Sequence, residues 1–149
     1  MIGHDLEICI KRAIEEAQNR KHEYVIPEHL LYSLLQNKKI GKIIEACGGS
    51  VDFTRQCLID FFATKVESLP YAENFDPKPS RGFQRVLEET AQGVLSSGKS
   101  TMTPERVLVS FFSEEESFAK YFIESQNIRK FDVINYLSHG IPKVDESYP

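Results

Sequence analysis

The chain has 149 residues, 41% of them hydrophobic and 27% charged, with a net charge of −4. Such a chain can bury about two-thirds of its unfolded surface and needs neither metal nor disulfide to fold. No apolar run approaches the ~20 residues of a membrane span, and both signs of charge are interspersed, which argues against a nucleic-acid partner because no concentrated basic face is visible.

The first residues, MIGHDLEICIKR, place acids inside the apolar stretch and lack a secretory cleavage pattern, so a cytoplasmic protein is expected. In DLEICIKRAIEEAQNR, residues 5–20, Leu6, Ile10, Ala13, Ile14 and Ala17 recur at helical spacing. Lys11, Glu15, Glu16 and Arg20 occupy the other side, which predicts an amphipathic helix. Pro27 fits a first helical position, where its missing N–H costs nothing, and Leu30, Leu31, Leu34 and Leu35 follow as a broad apolar stripe. Ile40, Ile43, Ile44 and Cys47 mark a third helix that Gly48 and Gly49 stop. Phe53, Cys57, Leu58, Phe61 and Phe62 mark a fourth. Cys9, Cys47 and Cys57 are odd in number, show no CxxC spacing and sit among apolar neighbours, so they are expected to be reduced core residues.

Residues 67–79, ESLPYAENFDPKP, contain three prolines and read as a connector. The order of events then repeats. Phe83, Leu87, Thr90, Ala91 and Val94 trace a helix; Thr103 and Pro104 cap and open the next, with Val107, Leu108, Phe111 and Phe112 as its stripe. Tyr121 and Phe122 fall in a third helix, and Phe131, Ile134 and Leu137 in a fourth. An offset of 77 residues pairs Leu6 with Phe83, Pro27 with Pro104, and Val51 with Ile128. No segment sustains period-2 alternation. The expected fold is therefore all-α: one compact domain over residues 1–140, of about eight helices. Repeat one covers about 5–66 and repeat two about 80–140, related by a pseudo-twofold axis, sharing one core and leaving a groove where they meet. The tail, IPKVDESYP at 141–149, reads as the start of a linker.

Residues 93–100, GVLSSGKS, match the phosphate-loop pattern, in which backbone N–H groups cradle phosphates. Lys99 would reach the phosphates and Ser100 would hold magnesium. The context opposes this reading. Gly93 interrupts an apolar stripe that runs on through Val94 and Leu95, Gly98 is placed to end that helix, and no strand precedes the motif. No catalytic set is apparent, and the histidines lack metal-ligand spacing: HEYVIPEH separates His22 and His29 too widely for one zinc-binding helix face. His29 is expected at a surface or as a cap. Glu114, Glu115 and Glu116 are expected to favour a helix N-terminus. Glu23, Glu28 and Arg85, on helix ends expected to be exposed, are candidates for charge-assisted docking.

The segments HEYVIPEHLLYSLL (22–35), IIEACGGSVD (43–52), GFQRVLEETAQGVLSSGKS (82–100), VLVSFFSEEES (107–117) and FDVINYLSHG (131–140) together resemble the amino-terminal double-repeat domain of Clp-family unfoldases, the ClpA-like branch in particular. The resemblance implies a non-catalytic helical domain on a hexameric ATPase ring that docks on the ClpP peptidase. Such a domain receives a ClpS-like adaptor and contributes to recognising substrate proteins for degradation. It implies adaptor-binding positions at Glu23, Glu28, Ser80 and Arg85. Glu89, where the ClpA-like pattern has another basic residue, would repel an acidic adaptor group. ATP and magnesium would belong to downstream modules, with no cofactor in this chain. The isolated domain would be monomeric, because hexamer contacts lie in those modules. A free-standing regulator that competes for the adaptor is the alternative, and a phosphate-loop enzyme the rival from another class.

Overall fold

The computed structural model describes residues 1–70 and 76–143. Eight α-helices fill these residues: α1 (His4–Asn19), α2 (Pro27–Leu34), α3 (Lys38–Ala46), α4 (Val51–Lys65), α5 (Arg81–Ser96), α6 (Pro104–Ser110), α7 (Phe118–Glu124) and α8 (Lys130–His139). A 3-10 turn, Phe111–Ser113, follows α6 and takes in the two phenylalanines read as the end of that helix.

Local chemistry sets the helix ends. Asn37, Ser50, Ser80 and Ser117 each accept backbone N–H groups of the first turn of α3, α4, α5 and α7. Pro27 and Pro104 open α2 and α6, where no N–H is needed. Gly48 (φ 90°) ends α3, and Gly140 (φ 66°) ends α8, in a conformation that costs a side-chain-bearing residue more. Gly49 is confined for a different reason. A Cβ there would lie 2.5 Å from Ile128 Cδ1, and Ile128 is itself buried. Gly49→Ala is expected to lower stability by about 1–3 kcal/mol through overpacking, read as a reduced denaturation midpoint.

The halves share one core, as the exposed stripe of each required: Leu6, Leu30, Leu34 and Leu58 of repeat one join Phe83, Leu108, Phe111 and Ile123 of repeat two in a single cluster. Helices pair across the halves in an exchanged manner. α2 packs on α7 while α6 packs on α3, and α3 packs on α8 while α4 packs on α7.

The connector holds more structure than its prolines led us to expect. Strand β1 (Tyr24–Val25) pairs in parallel with β2 (Lys78–Pro79), Val25 opposite Pro79, and Ile2 bridges Met102 in the same sense. These two contacts interchange under the 77-residue offset, so each half clasps the other in the same way. The remainder of the expected connector includes residues 71–75, outside the described residues.

The offset holds for α1 with α5 and α2 with α6, then drifts. Aligned on their caps, α3 (from Lys38) matches α7 (from Phe118) and α4 (from Val51) matches α8 (from Lys130). Val51 therefore corresponds to Lys130 rather than to Ile128. Tyr121 and Phe131 fall in α7 and α8 as expected and are exposed, and Ala119, Ile123 and Val133 take the inward positions. Cys9 and Cys47 are free and buried, and Cys57 is free and half-buried. Lys143 of the expected linker is held: its N–H donates to Ala46 O at 2.8 Å and its Nζ lies 3.1 Å from Asp132 Oδ2. Residues 144–149 lie outside the described residues.

Candidate docking site

Two of the four candidate residues, Glu23 and Ser80, are brought near each other by the β1–β2 pair. Glu23 is exposed in the turn before β1, and its carbonyl accepts the Lys78 N–H at 3.0 Å. Two residues on, Val25 O accepts the Ser80 N–H at 3.0 Å. Ser80 then caps α5 by accepting the Phe83 N–H at 3.1 Å, which fixes the start of the helix that carries Arg85. Gly82 makes this approach close, since a Cβ there would lie 3.2 Å from Pro27 Cγ at the start of α2.

Arg85 is half-exposed but not free. Its Nε and Nη2 donate to the two carboxylate oxygens of Glu114 at 3.0 and 2.7 Å, a bidentate pair that pushes the guanidinium pKa up. Glu114 thus serves Arg85 instead of a helix N-terminus, and Glu115 pairs with Lys120 at 3.1 Å. A groove of about 420 Å³ opens beside the pair, lined by Arg85, Glu88, Glu89, Glu114, Glu115 and Glu116 among others. Its field is acidic, and Glu89 adds to it.

Glu28 is not on an exposed helix end. It is only 4% exposed, and its Oε2 accepts the Ser117 hydroxyl and the Ala119 N–H, both at 3.0 Å, at the start of α7. The expected exposure is corrected: the carboxylate faces the positive end of another helix, where its charge is satisfied inside the protein. Burial pushes its pKa up, against the opposing effect of these donors. Glu105, its counterpart at the 77-residue offset, likewise reaches the start of α3 and meets Lys39 Nζ at 2.6 Å. Both acids clamp the first turn of a helix in the other half.

Beneath β1 lie His22 and His29, both buried, so His29 is a cap but not a surface residue. His29 Nδ1 accepts the Ile26 N–H at 3.0 Å, which leaves its Nε2 as the donor to His22 Nδ1 at 2.9 Å. The His29 ring stacks on Phe62, with centroids 4.8 Å apart, and Arg20 lies over the same Phe62 ring. Burial, with the neighbouring His22 and Arg20 charges, lowers the His29 pKa to about 3.

The GVLSSGKS segment is a helix end. Gly93 lies within α5, Gly98 has φ 74°, and the Gly98 and Lys99 N–H groups donate to Leu95 O and Val94 O at 3.1 and 3.0 Å. The amides a phosphate would need are spent on the helix terminus. Among the described residues no group of three or more metal-ligating side chains converges, and no helix is long and apolar enough to cross a membrane.

Comparison with known proteins fits the exchanged double repeat. Residues 1–126 match the Clp repeat (R) N-terminal domain family. The chain belongs to that family. This Clp N-terminal domain is similar to a ClpA homolog protein of Fuscovulum blasticum, 35% identical over 144 residues and 96% of the chain. It also resembles the chaperone protein ClpB of Chlamydia pneumoniae, 28% identical over 72% of the chain. It spans only 18% and 12% of those two proteins. The fold of the Clp domain is shared with the Hsp104 N-terminal domain of Candida albicans (TM-score 0.79, 12% identity, 95% and 93% of the two chains covered). It is shared too with the N-terminal domain of ClpD from Arabidopsis thaliana (TM-score 0.69, 16% identity, 92% and 94% covered).

Glu114, Ser117 and Ala119 escaped the sequence reading of the site. They lie 29, 89 and 91 residues from the candidates they bind, and no short-range pattern announces such pairs.

Proposed function

We propose that this Clp N-terminal domain is the non-catalytic docking domain of a ClpA-type AAA+ unfoldase in the cytoplasm and receives a ClpS-like adaptor on the surface of Glu23, Ser80 and Arg85. The observation that supports this reading is the β1–β2 pair, which joins two segments far apart in sequence and brings the Glu23 and Ser80 backbones together. In this reading Glu28 contributes from beneath, by fixing α7 against α2. The acidic groove beside Arg85 calls for an adaptor that presents cations there, and Glu89 strengthens that demand. ATP and magnesium, the ring contacts and the ClpP peptidase belong to the rest of the full-length protein, and substrate delivery for proteolysis is the outcome.

The test is a calorimetric titration with the ClpS-like adaptor of the same organism. Glu23→Lys reverses an exposed charge without disturbing a buried group and is expected to weaken binding at least tenfold, about 1.4 kcal/mol. Glu28→Gln keeps the shape and an acceptor for Ala119 and is expected to leave the affinity within about twofold. Failure of the wild-type chain to bind, or indifference to Glu23→Lys, overturns the proposal.

A further inference from the structure

The two halves are not equally complete. In repeat one, the far end of α4 brings Phe61 against Phe118 and Phe122 of α7, with ring centroids 4.9 and 6.0 Å apart. Aligned on their caps, α3 is the counterpart of α7, and α8 is the counterpart of α4. The positions that match Phe118 and Phe122 are Lys38 and Lys42, and the position that matches Phe61 is Gly140. Moreover α8 has 10 residues against the 15 of α4, and Gly140 turns the chain away at φ 66°. Repeat two therefore lacks the last turn and the aromatic plug that close repeat one.

A groove of about 740 Å³ lies there, between α3, α6 and α8. Ile43, Val109, Ile134 and Leu137 supply apolar surface, and Ile134 and Leu137 remain exposed. Its rim is basic. Lys39, Lys42, Lys99 and Arg106 line it against the single acid Glu105, which Lys39 engages at 2.6 Å. Lys42, Lys99 and Arg106 form no ion pair among the described residues. Among the described residues three cations thus stand unpaired around one apolar trough.

We propose that this groove is a docking site for an extended segment of a partner protein in which an aromatic or large aliphatic side chain is flanked by carboxylates. The apolar side chain takes the place that Phe61 fills in repeat one, and the carboxylates meet Lys42, Lys99 and Arg106. Charge complementarity of this kind favours capture and excludes basic segments. None of these residues belongs to the Glu23–Ser80–Arg85 surface, so the inference does not rest on the adaptor reading.

The test is fluorescence anisotropy with two labelled synthetic peptides, EDFLDE and KKFLKK, titrated with the whole chain at low ionic strength. EDFLDE is expected to bind at least tenfold more tightly than KKFLKK and to lose at least tenfold in the Lys42→Glu, Arg106→Glu double variant. Leu137→Asp, at an exposed position, provides a second variant with the same expected loss, and circular dichroism checks that both variants fold. Glu23→Lys is expected to leave peptide binding unchanged. Equal binding of the two peptides, indifference to both groove variants, or no binding at about 1 mM chain overturns the proposal. Binding seen only after removal of residues 144–149 also overturns it, because the occupant is then the chain's own tail.

Discussion

Replacing Glu28 by lysine is expected to destabilise the fold by about 3–5 kcal/mol, because the ammonium would be buried against the N–H groups at the start of α7. The wild-type carboxylate accepts from Ser117 and Ala119 at that point and carries the sign of charge a helix N-terminus favours. Glu28→Ala removes the acceptor without adding a charge. Its cost should be smaller, about 1–3 kcal/mol, since Ala119 keeps its 2.9 Å bond to Ser117 Oγ. Glu28→Gln should cost least. Denaturant titrations of the three variants test the order lysine, alanine, glutamine. A lysine variant as stable as wild type would mean that Glu28 faces solvent, as a reading of PEHLLYSLL by itself expects.

Acidification is expected to remove about 2–3 kcal/mol of stability between pH 6.5 and pH 4.5 through His29. The sign follows from the proton count. The unfolded histidine titrates near 6.5, whereas in the fold its pKa lies at about 3. Across that window the unfolded chain binds the extra proton, so stability falls with pH. The geometry gives the reason: Nδ1 already accepts from Ile26, and Nε2 donates to His22. A second proton on His29 would set two N–H groups against each other. His22, whose pKa burial also lowers, acts in the same direction. Glu28 opposes both, because its raised pKa lets the folded chain take up a proton before the unfolded chain does. His29→Leu should flatten the dependence below pH 6.5 while lowering stability at pH 7. Equal slopes in wild type and variant would show that His29 is not held neutral.

The helices were legible because their causes are local. Pro27 and Pro104, the glycines after α3 and α8, and the apolar stripes of α1 and α5 all act within one or two turns. The 77-residue offset was visible where the repeats have equal lengths. It failed after α6, where the Phe111–Ser113 turn and the acids behind it lengthen the path to α7. The two-residue strands were invisible, since so short a pairing leaves no alternation to detect. Of the candidate docking residues, Glu23 and Ser80 flank the paired strand segments, and Ser80 caps the helix that carries Arg85. The environment of Glu28 was misread: its neighbours in sequence describe a helix start, and the element that buries it comes 89 residues later. His22 and His29 read as too distant for one helix face, which is true. They meet because β1 lies between them and is not helical.

The most direct test of the central claim is a nitrogen-15 amide spectrum of the chain, recorded as the ClpS-like adaptor is added. Perturbations are expected to concentrate at residues 22–26 and 80–86 and at Glu114, with the amides of α3 and α8 little changed. Perturbations confined to α3, α6 and α8, with Glu23, Ser80 and Arg85 unmoved at saturation, would contradict it.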